Sequence, residues 1–423
     1  MARRTGYGSG RGVRNKVMKR ACHAVVLFSL GVLSACHAGT QEPPENVSSF
    51  MALQRALDPR GPMPRAQVEE AAANAPPVME PQVKREAPTE APRRRPPDGP
   101  ITTEERGKAL ERLSAVLKEK YVFPDRAQKV ATALRTRRAG HAYDTLDTGH
   151  AFADAVTAHV DEVLHDGHFR VVYRAEGTRE DEHRGEPTAA ERARHEEEGK
   201  HLNGGFERVE RLPGNIGYIA VRSFAFPGRG AQAVAAAMEL VAETEALILD
   251  IRGNRGGDPD TVAALCSYFF AEPVHLNDIY DRTKNETRQY WTSAGVTGRR
   301  YLNRDVYVLT SRQSYSAAEE FAYDLQQLKR ATLVGETTGG AANPGERVRL
   351  SEHLLAFVPT GRPINPVSKT NWEGTGVKPD IAVAADDALR VAQVEALKKL
   401  LARESSPERR GELEERLQAL ASP

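Results

Sequence analysis

Several features are scarce or missing in this chain of 423 residues. It has three cysteines, no Cys-x-x-Cys pair and no Cys/His group with zinc spacing, which argues against a structural zinc site. Cys266 lies in an apolar run and is expected to be a buried structural thiol. The formal net charge is only +1, so no global field attracts nucleic acid or a membrane surface. The sequence therefore predicts no nucleic-acid partner.

The N-terminus combines basic residues with a short apolar run. The first twenty residues contain lysine and arginine but no acid, and an apolar stretch follows from Ala21 to Ala35. This stretch is too short to span a bilayer and predicts a signal peptide over residues 1–36. Leu33-Ser-Ala-Cys36 resembles a lipoprotein box, with ordinary signal-peptidase cleavage nearby as the alternative. We expect an exported protein that is lipid-anchored through Cys36 in the bacterial envelope, with the outer membrane favoured in a Gram-negative organism.

Composition divides the rest of the chain into five segments. Residues 37–100 are rich in proline and poor in aromatic residues, which predicts a disordered tether. Residues 101–173 show helical spacing of apolar residues and predict a small N-terminal helical subdomain. Residues 174–204 are mostly charged or small and predict a solvated surface excursion. Residues 205–400 alternate buried strands with helices, which predicts an α/β core, and 401–423 predict a charged C-terminal helix.

One segment of the core combines a buried strand, a serine-rich turn and a helix start. The strand pattern at 305–310 is followed by Ser311-Arg-Gln-Ser-Tyr-Ser316 and then by a helical pattern. A serine at such a junction has backbone N–H groups directed past its hydroxyl, as a nucleophile requires. One alternative is that Ser316 only caps the helix, with Glu319 completing a capping box. Another is that Ser311 or Ser314 carries the reactive hydroxyl.

Three further motifs carry groups that could act with such a serine. Asp250-Ile-Arg-Gly-Asn-Arg-Gly-Gly257 lacks the features of a P-loop or a dinucleotide fingerprint, but its backbone could donate an N–H to an oxyanion. A tight strand-to-helix turn is the alternative. His165-Asp-Gly-His168 contains a candidate general base or a structural histidine; with no third ligand nearby in sequence, we expect no metal. Glu373 could orient an imidazole or be an ordinary loop carboxylate.

Together and in this order, the motifs resemble the C-terminal processing (tail-specific) serine peptidases. The resemblance is carried by residues 308–322, 330–340, 250–257 and 376–380. Lys120-Tyr-Val-Phe-Pro124 and Asp166-Gly-His168 are similar to the branch typified by interphotoreceptor retinoid-binding protein. The resemblance covers roughly residues 103–400. It implies a ClpP/crotonase-like β-α superhelix core with a small N-terminal helical subdomain.

The resemblance also implies a tricorn-like catalytic triad. By that match Ser316 is the nucleophile, His168 the general base and Glu373 the acid behind the base. Tricorn has a serine immediately before its histidine, linking imidazole to carboxylate, and here that position is Gly167. Glu373 must then reach His168 directly, through water or through another hydroxyl.

The same match implies an oxyanion hole, and it indicates that a lysine does not act as the base. The backbone N–H groups of Ala317 and of Gly257 or Gly256 would stabilise the oxyanion. The other branch of the family uses a Ser–Lys dyad, and its lysine would fall at Ala341. The other branch also inserts a PDZ domain, for which the interval 172–206 is too short and too polar.

These features imply a serine peptidase that hydrolyses peptide or protein substrates in the cell envelope and uses no cofactor. The alternative is a catalytically weak or inactive homologue that binds peptides or apolar ligands of the retinoid or fatty-acid kind. Retention of serine, histidine and glutamate together favours the enzyme, because a carrier has no need of all three.

Overall fold

The computed structural model describes residues 96–178 and 188–421. The predicted signal peptide, Cys36 and the tether up to residue 95 lie outside these ranges, as does part of the charged segment 174–204. In the ranges that are described, no helix combines the length and apolar character needed to cross a membrane.

The described residues alternate helices and strands along the chain. Helices α1 to α9 are Thr103–Lys120, Pro124–Ala139, Gly149–Leu164, Ala189–His201, Pro227–Leu240, Pro259–Cys266, Ala317–Gln327, Ala388–Arg403 and Pro407–Ala421. Strands β1 to β12 are Arg170–Tyr173, Phe206–Leu212, Ile216–Val221, Ala246–Asp250, His275–Asp281, Glu286–Trp291, Asp305–Thr310, Thr332–Gly335, Gly345–Arg349, Leu354–Pro359, Gly361–Ile364 and Ile381–Ala382. The helical spacing at 101–173 corresponds to α1 to α3, and the strand pattern at 305–310 with the helical pattern after it corresponds to β7 and α7. Helix α4, the β5–β6 hairpin and β11 are additions that those patterns did not predict.

The centre of the fold is a six-stranded sheet in the order β12-β8-β7-β4-β3-β2. All its pairings are parallel except the β2–β3 pair at one edge. The sequence of strand β4 is a continuous apolar run because both faces of this strand are covered. Leu247 and Leu249 belong to the core formed with α5, α6 and α7, whereas Ala246 and Ile248 belong to the core formed with α8 and α9.

The helical region packs against a second, antiparallel sheet in the order β1-β10-β9. Apolar residues of α1, α2 and α3 share one buried cluster with residues of these three strands. Strand β1 follows the helices in sequence, and it pairs with β10, so that Val171 lies opposite Ala356. The chain just before β1, which carries His168, is therefore attached to the α/β core by backbone hydrogen bonds.

These features confirm the predicted α/β class with a helical N-terminal region. Strands β4 and β7 are parallel neighbours, with Asp250 opposite Leu309. Since the carboxyl ends of adjacent parallel strands meet at one edge of a sheet, the glycine-rich turn after β4 and the serine-rich turn after β7 lie side by side.

Candidate active site

Ser316 stands at the junction of the serine-rich turn and α7 in an unusual backbone conformation. Its φ is 57° and its ψ is −124°, in a region that residues with a Cβ rarely adopt. The Glu319 carboxylate holds this conformation by accepting a hydrogen bond from Ser316 N at 2.9 Å. The same buried carboxylate accepts hydrogen bonds from Thr338 Oγ1 and from the backbone N–H groups of Gly340 and Ala341. Glu319 thus fixes the serine-rich turn against the loop after β8.

The hydroxyls of the other two serines, Ser311 and Ser314, donate hydrogen bonds to the glycine-rich turn. Ser311 Oγ donates to the Arg252 carbonyl at 2.6 Å, and Ser314 Oγ donates to the Ile251 carbonyl at 2.8 Å. Both residues are buried. Their hydroxyls join the serine-rich turn to the glycine-rich turn, which leaves Ser316 as the candidate among the three serines.

The glycine-rich turn packs closely against Ser316. A Cβ placed on Gly256, where φ is 98°, would lie 2.8 Å from Ser316 Cβ and 2.9 Å from Ala317 N. A Cβ on Gly257, where φ is 148°, would lie 2.1 Å from the carbonyl carbon of Phe224. Only glycine fits either position. Gly256 N–H already donates to Asn254 Oδ1 at 2.8 Å, which favours Gly257 over Gly256 as the oxyanion donor.

His168 lies beside the serine-rich turn and is 9% exposed. Its ring centroid is 5.2 Å from that of Tyr315, the residue before Ser316, in an edge-on arrangement. Tyr315 Oη also donates a hydrogen bond to the Gly167 carbonyl. Burial, and then the positive charge of Arg170, lowers the pKa of His168 to about 4. The imidazole is therefore neutral at physiological pH, as a general base must be.

Glu373 lies next to His168, although its hydrogen bonds go to the backbone. Its carboxylate accepts from the N–H groups of Gly167 at 2.9 Å, Ala342 at 2.6 Å and Asn343 at 3.1 Å. Burial, and then the negative charge of Asp166, raises the pKa of Glu373 to about 7. One carboxylate oxygen of Glu373, one of Asp166 and a ring nitrogen of His168 lie within 4.8 Å of one another.

Asp166 is a member of this site that sequence reasoning missed. It is 2% exposed, and it accepts hydrogen bonds from Tyr121 Oη at 3.0 Å, Asn343 Nδ2 at 2.9 Å and His168 N at 3.1 Å. Burial raises its pKa. The signal was present in Asp166-Gly-His168, because an acidic residue two positions before a candidate base can accept a hydrogen bond from its backbone.

Comparison with known proteins connects this geometry to a family. Residues 215–383 match the sequence model of peptidase family S41, and residues 102–202 match that of the N-terminal domain of peptidase S41 in eukaryotic IRBP. Together the two matches cover more than half of the chain. The chain belongs to peptidase family S41. Among the predicted site residues, Gly256, Gly257, Ser316, Ala317 and Glu373 fall within the first match, and His168 falls within the second.

Curated relatives of this S41 chain are similar over part of their length. The carboxy-terminal processing protease CtpB of Bacillus subtilis is 26% identical over 43% of this chain and 37% of the relative. The tail-specific protease of Haemophilus influenzae is 31% identical over 23% of this chain and 13% of the relative. Among solved structures, the photosystem II D1 C-terminal processing protease aligns with a TM-score of 0.42 and 18% identity, over 68% of this chain and 94% of its own.

Position 167 has no room for a side chain beside Ala341. A Cβ placed on Gly167 would lie 2.8 Å from Ala341 Cβ. Ala341 is fully buried, so it cannot turn away into solvent. Any side chain at position 167 would therefore contact Ala341 while the loop that carries His168 keeps its place.

We expect Gly167→Ser to destabilise the protein without raising activity. The added side chain would crowd Ala341, and overpacking of this kind costs about 1–3 kcal/mol. Chemical denaturation of wild type, Gly167→Ser, Ala341→Gly and the double variant measures the contact as a double-mutant cycle. Removing the Ala341 methyl should recover part of the loss. Independent, additive effects of the two substitutions would show that the contact is not responsible.

Proposed function

We propose that this chain is a serine peptidase that uses Ser316 as nucleophile, His168 as general base and Glu373 as the acid that supports the base. The observation that carries the proposal is the setting of Ser316. It has a strained backbone, stands at the N-terminus of α7, lies against the Gly256–Gly257 turn and follows a tyrosine that packs on His168. Strain of this kind is characteristic of functional sites.

In the proposed reaction, His168 removes the proton of Ser316 Oγ while that oxygen attacks the carbonyl carbon of a peptide bond. The N–H groups of Gly257 and Ala317 stabilise the oxyanion that forms. The imidazolium then donates its proton to the leaving amine, which leaves an acyl-enzyme. Water, deprotonated by His168, hydrolyses the acyl-enzyme and restores Ser316. The negative charge of Glu373 stabilises the imidazolium in both halves of the reaction.

The names of the two curated relatives support a peptide or protein substrate that is cut near its carboxyl end. The sequence at residues 1–36 supports an envelope location, with the lipid on Cys36. Metabolic labelling with a radioactive fatty acid tests the anchor. Wild type should be labelled and Cys36→Ala should not, whereas equal labelling of the two would contradict the assignment.

The proposed site predicts a particular pH profile. Because His168 has a pKa of about 4, it is already neutral where Glu373, with a pKa of about 7, is losing its proton. We therefore expect kcat/KM for peptide hydrolysis to rise with pH through a midpoint near 7, as Glu373 gains the charge that stabilises the imidazolium. Asp166→Asn should shift this midpoint partway to lower pH, because burial still raises the pKa of Glu373 but the negative charge of Asp166 no longer does. Glu373→Gln should abolish the rise in kcat/KM near pH 7. The remaining pH dependence should be the loss of kcat/KM at about pH 4, where His168 becomes protonated. A midpoint near 7 that survives in Glu373→Gln would assign the titration to another group.

Labelling with a fluorophosphonate probe tests whether the chain performs chemistry at all. The native chain should gain one probe per molecule, and the denatured chain none, because acylation needs the assembled site. The alternative function predicts a different pair of results. A native chain that binds retinol or a fatty acid saturably, but gains no probe and hydrolyses no peptide, would be a carrier.

A further inference from the structure

Three metal-ligating side chains converge at the proposed catalytic centre. Asp166 and His168 come from the loop before β1, and Glu373 comes from the loop before β12. Sequence alone showed no third ligand near the histidine, because the third lies about two hundred residues later. We propose that Asp166, His168 and Glu373 bind one divalent transition-metal ion of the zinc class.

The spacing of the three groups suits such an ion. One potential ligand atom from each residue lies within 4.8 Å of the other two. Bonds of about 2.0–2.2 Å from zinc to nitrogen and to oxygen place tetrahedral ligands about 3.4 Å apart. Side-chain shifts on the order of 1 Å would close the site around the metal. One imidazole and two carboxylates leave a fourth position for water, the pattern of an open zinc site.

An unsatisfied polar atom supplies the second observation. His168 Nδ1 is fully buried and has no hydrogen-bond partner among the described residues. A buried imidazole nitrogen without a partner is destabilising, so native proteins rarely leave one. A metal ion bound at this nitrogen would satisfy it.

The surroundings of the carboxylates resemble those of metal ligands. Asp166 is oriented by Tyr121 and Asn343, and Glu373 is oriented by the three backbone N–H groups described above. Such outer contacts fix the direction of ligating oxygens. The ion would also relieve the repulsion between two carboxylates held close together.

The ligand set selects the class of ion. Imidazole nitrogen suits zinc, cobalt and related transition metals, whereas calcium and magnesium prefer oxygen ligands alone. Binding would occupy His168 and tie up the charge of Glu373. This consequence rests on the proposed function: the ion would reversibly inhibit acylation of Ser316 by engaging its base.

Titration of the purified full chain with CoCl2, followed by visible absorption, tests metal binding without relying on activity. Wild type is expected to develop the d–d bands of one tetra- or pentacoordinate Co2+ per chain, and ZnCl2 should displace them. His168→Gln and Asp166→Asn should lose the bands while circular dichroism shows that they remain folded. Ser316→Ala should keep them, because the serine is not a ligand. His275→Ala removes a different histidine–carboxylate pair, in which Nε2 lies 2.8 Å from Asp278 Oδ1, and it should also keep them.

Two results would overturn the metal site. One is a wild type that develops no saturable bands, and the other is a folded His168→Gln that binds Co2+ as tightly as wild type. Failure of the proposed function is seen separately. If the bands appear as expected but the metal-free chain gains no fluorophosphonate, the metal site stands and the nucleophile assignment falls. Labelling that proceeds without any Co2+ binding gives the reverse conclusion.

Discussion

Ser316→Ala is expected to lower kcat for peptide hydrolysis by a factor on the order of 10⁴ to 10⁶, the effect of removing the nucleophile from a serine peptidase. The variant should still fold, because the capping contact of the Ser316 side chain at the start of α7 is worth only about 1 kcal/mol. The Ser311 and Ser314 hydroxyls, not that of Ser316, join the two turns, and the Glu319 carboxylate holds the backbone N–H that alanine retains. Steady-state hydrolysis with thermal denaturation of the same samples checks both expectations.

Ser316→Gly separates the role of the hydroxyl from the strain in the backbone. Glycine adopts a φ of 57° with a ψ of −124° at little cost, whereas alanine keeps the strain. We expect the glycine variant to be as inactive as the alanine variant but more stable by about 1 kcal/mol. A glycine variant that is less stable than the alanine variant would indicate that the turn is not strained.

His168→Ala is the second substitution with a large expected effect. Without a base, Ser316 keeps its proton, and we expect acylation by a fluorophosphonate to slow by a factor on the order of 10³ or more. The ring is buried against Tyr315 and Phe357, so its loss should also cost about 1–3 kcal/mol of stability. Labelling reactions are quenched at successive times and analysed by mass spectrometry, which gives the rate of acylation.

A matched control uses His159, a partly buried histidine of the helical region. His159 lies on α3, where Nδ1 is 3.1 Å from Tyr143 Oη, and it has no role in the proposed site. His159→Ala should label at the wild-type rate. If both histidine variants slow equally, the loss comes from the packing of the helical region and not from the base.

Much of the α/β core could be predicted because its strands are covered on both faces. Strands β4 and β7 read as unbroken apolar runs, and this pattern leaves little choice but a central parallel sheet. The β5–β6 hairpin was missed because its residues are largely partly buried or exposed, which gives no apolar run. Helix α4 was missed because only Gly199 among its residues is buried, so it shows no apolar stripe.

In the candidate site, the sequence predicts local motifs but not contacts between distant segments. The Ser316 junction and the glycine-rich turn are local signals, and parallel pairing of β4 and β7 brings them together. The contacts of Glu373 with Gly167 and of Gly167 with Ala341 join segments far apart in sequence, so motif spacing could not reveal them. The proximity of Asp166 to Glu373 has the same origin, and it alters the expected titration of the site.

Ser316 is the proposed nucleophile of a folded peptidase site. To test this assignment, the native full chain is reacted with a fluorophosphonate and digested, and the adduct is located by tandem mass spectrometry. We expect a single adduct on Ser316, formed at a rate that falls in His168→Ala. An adduct on Ser311 or Ser314, or a chain that hydrolyses peptides while Ser316 stays unmodified, would contradict it.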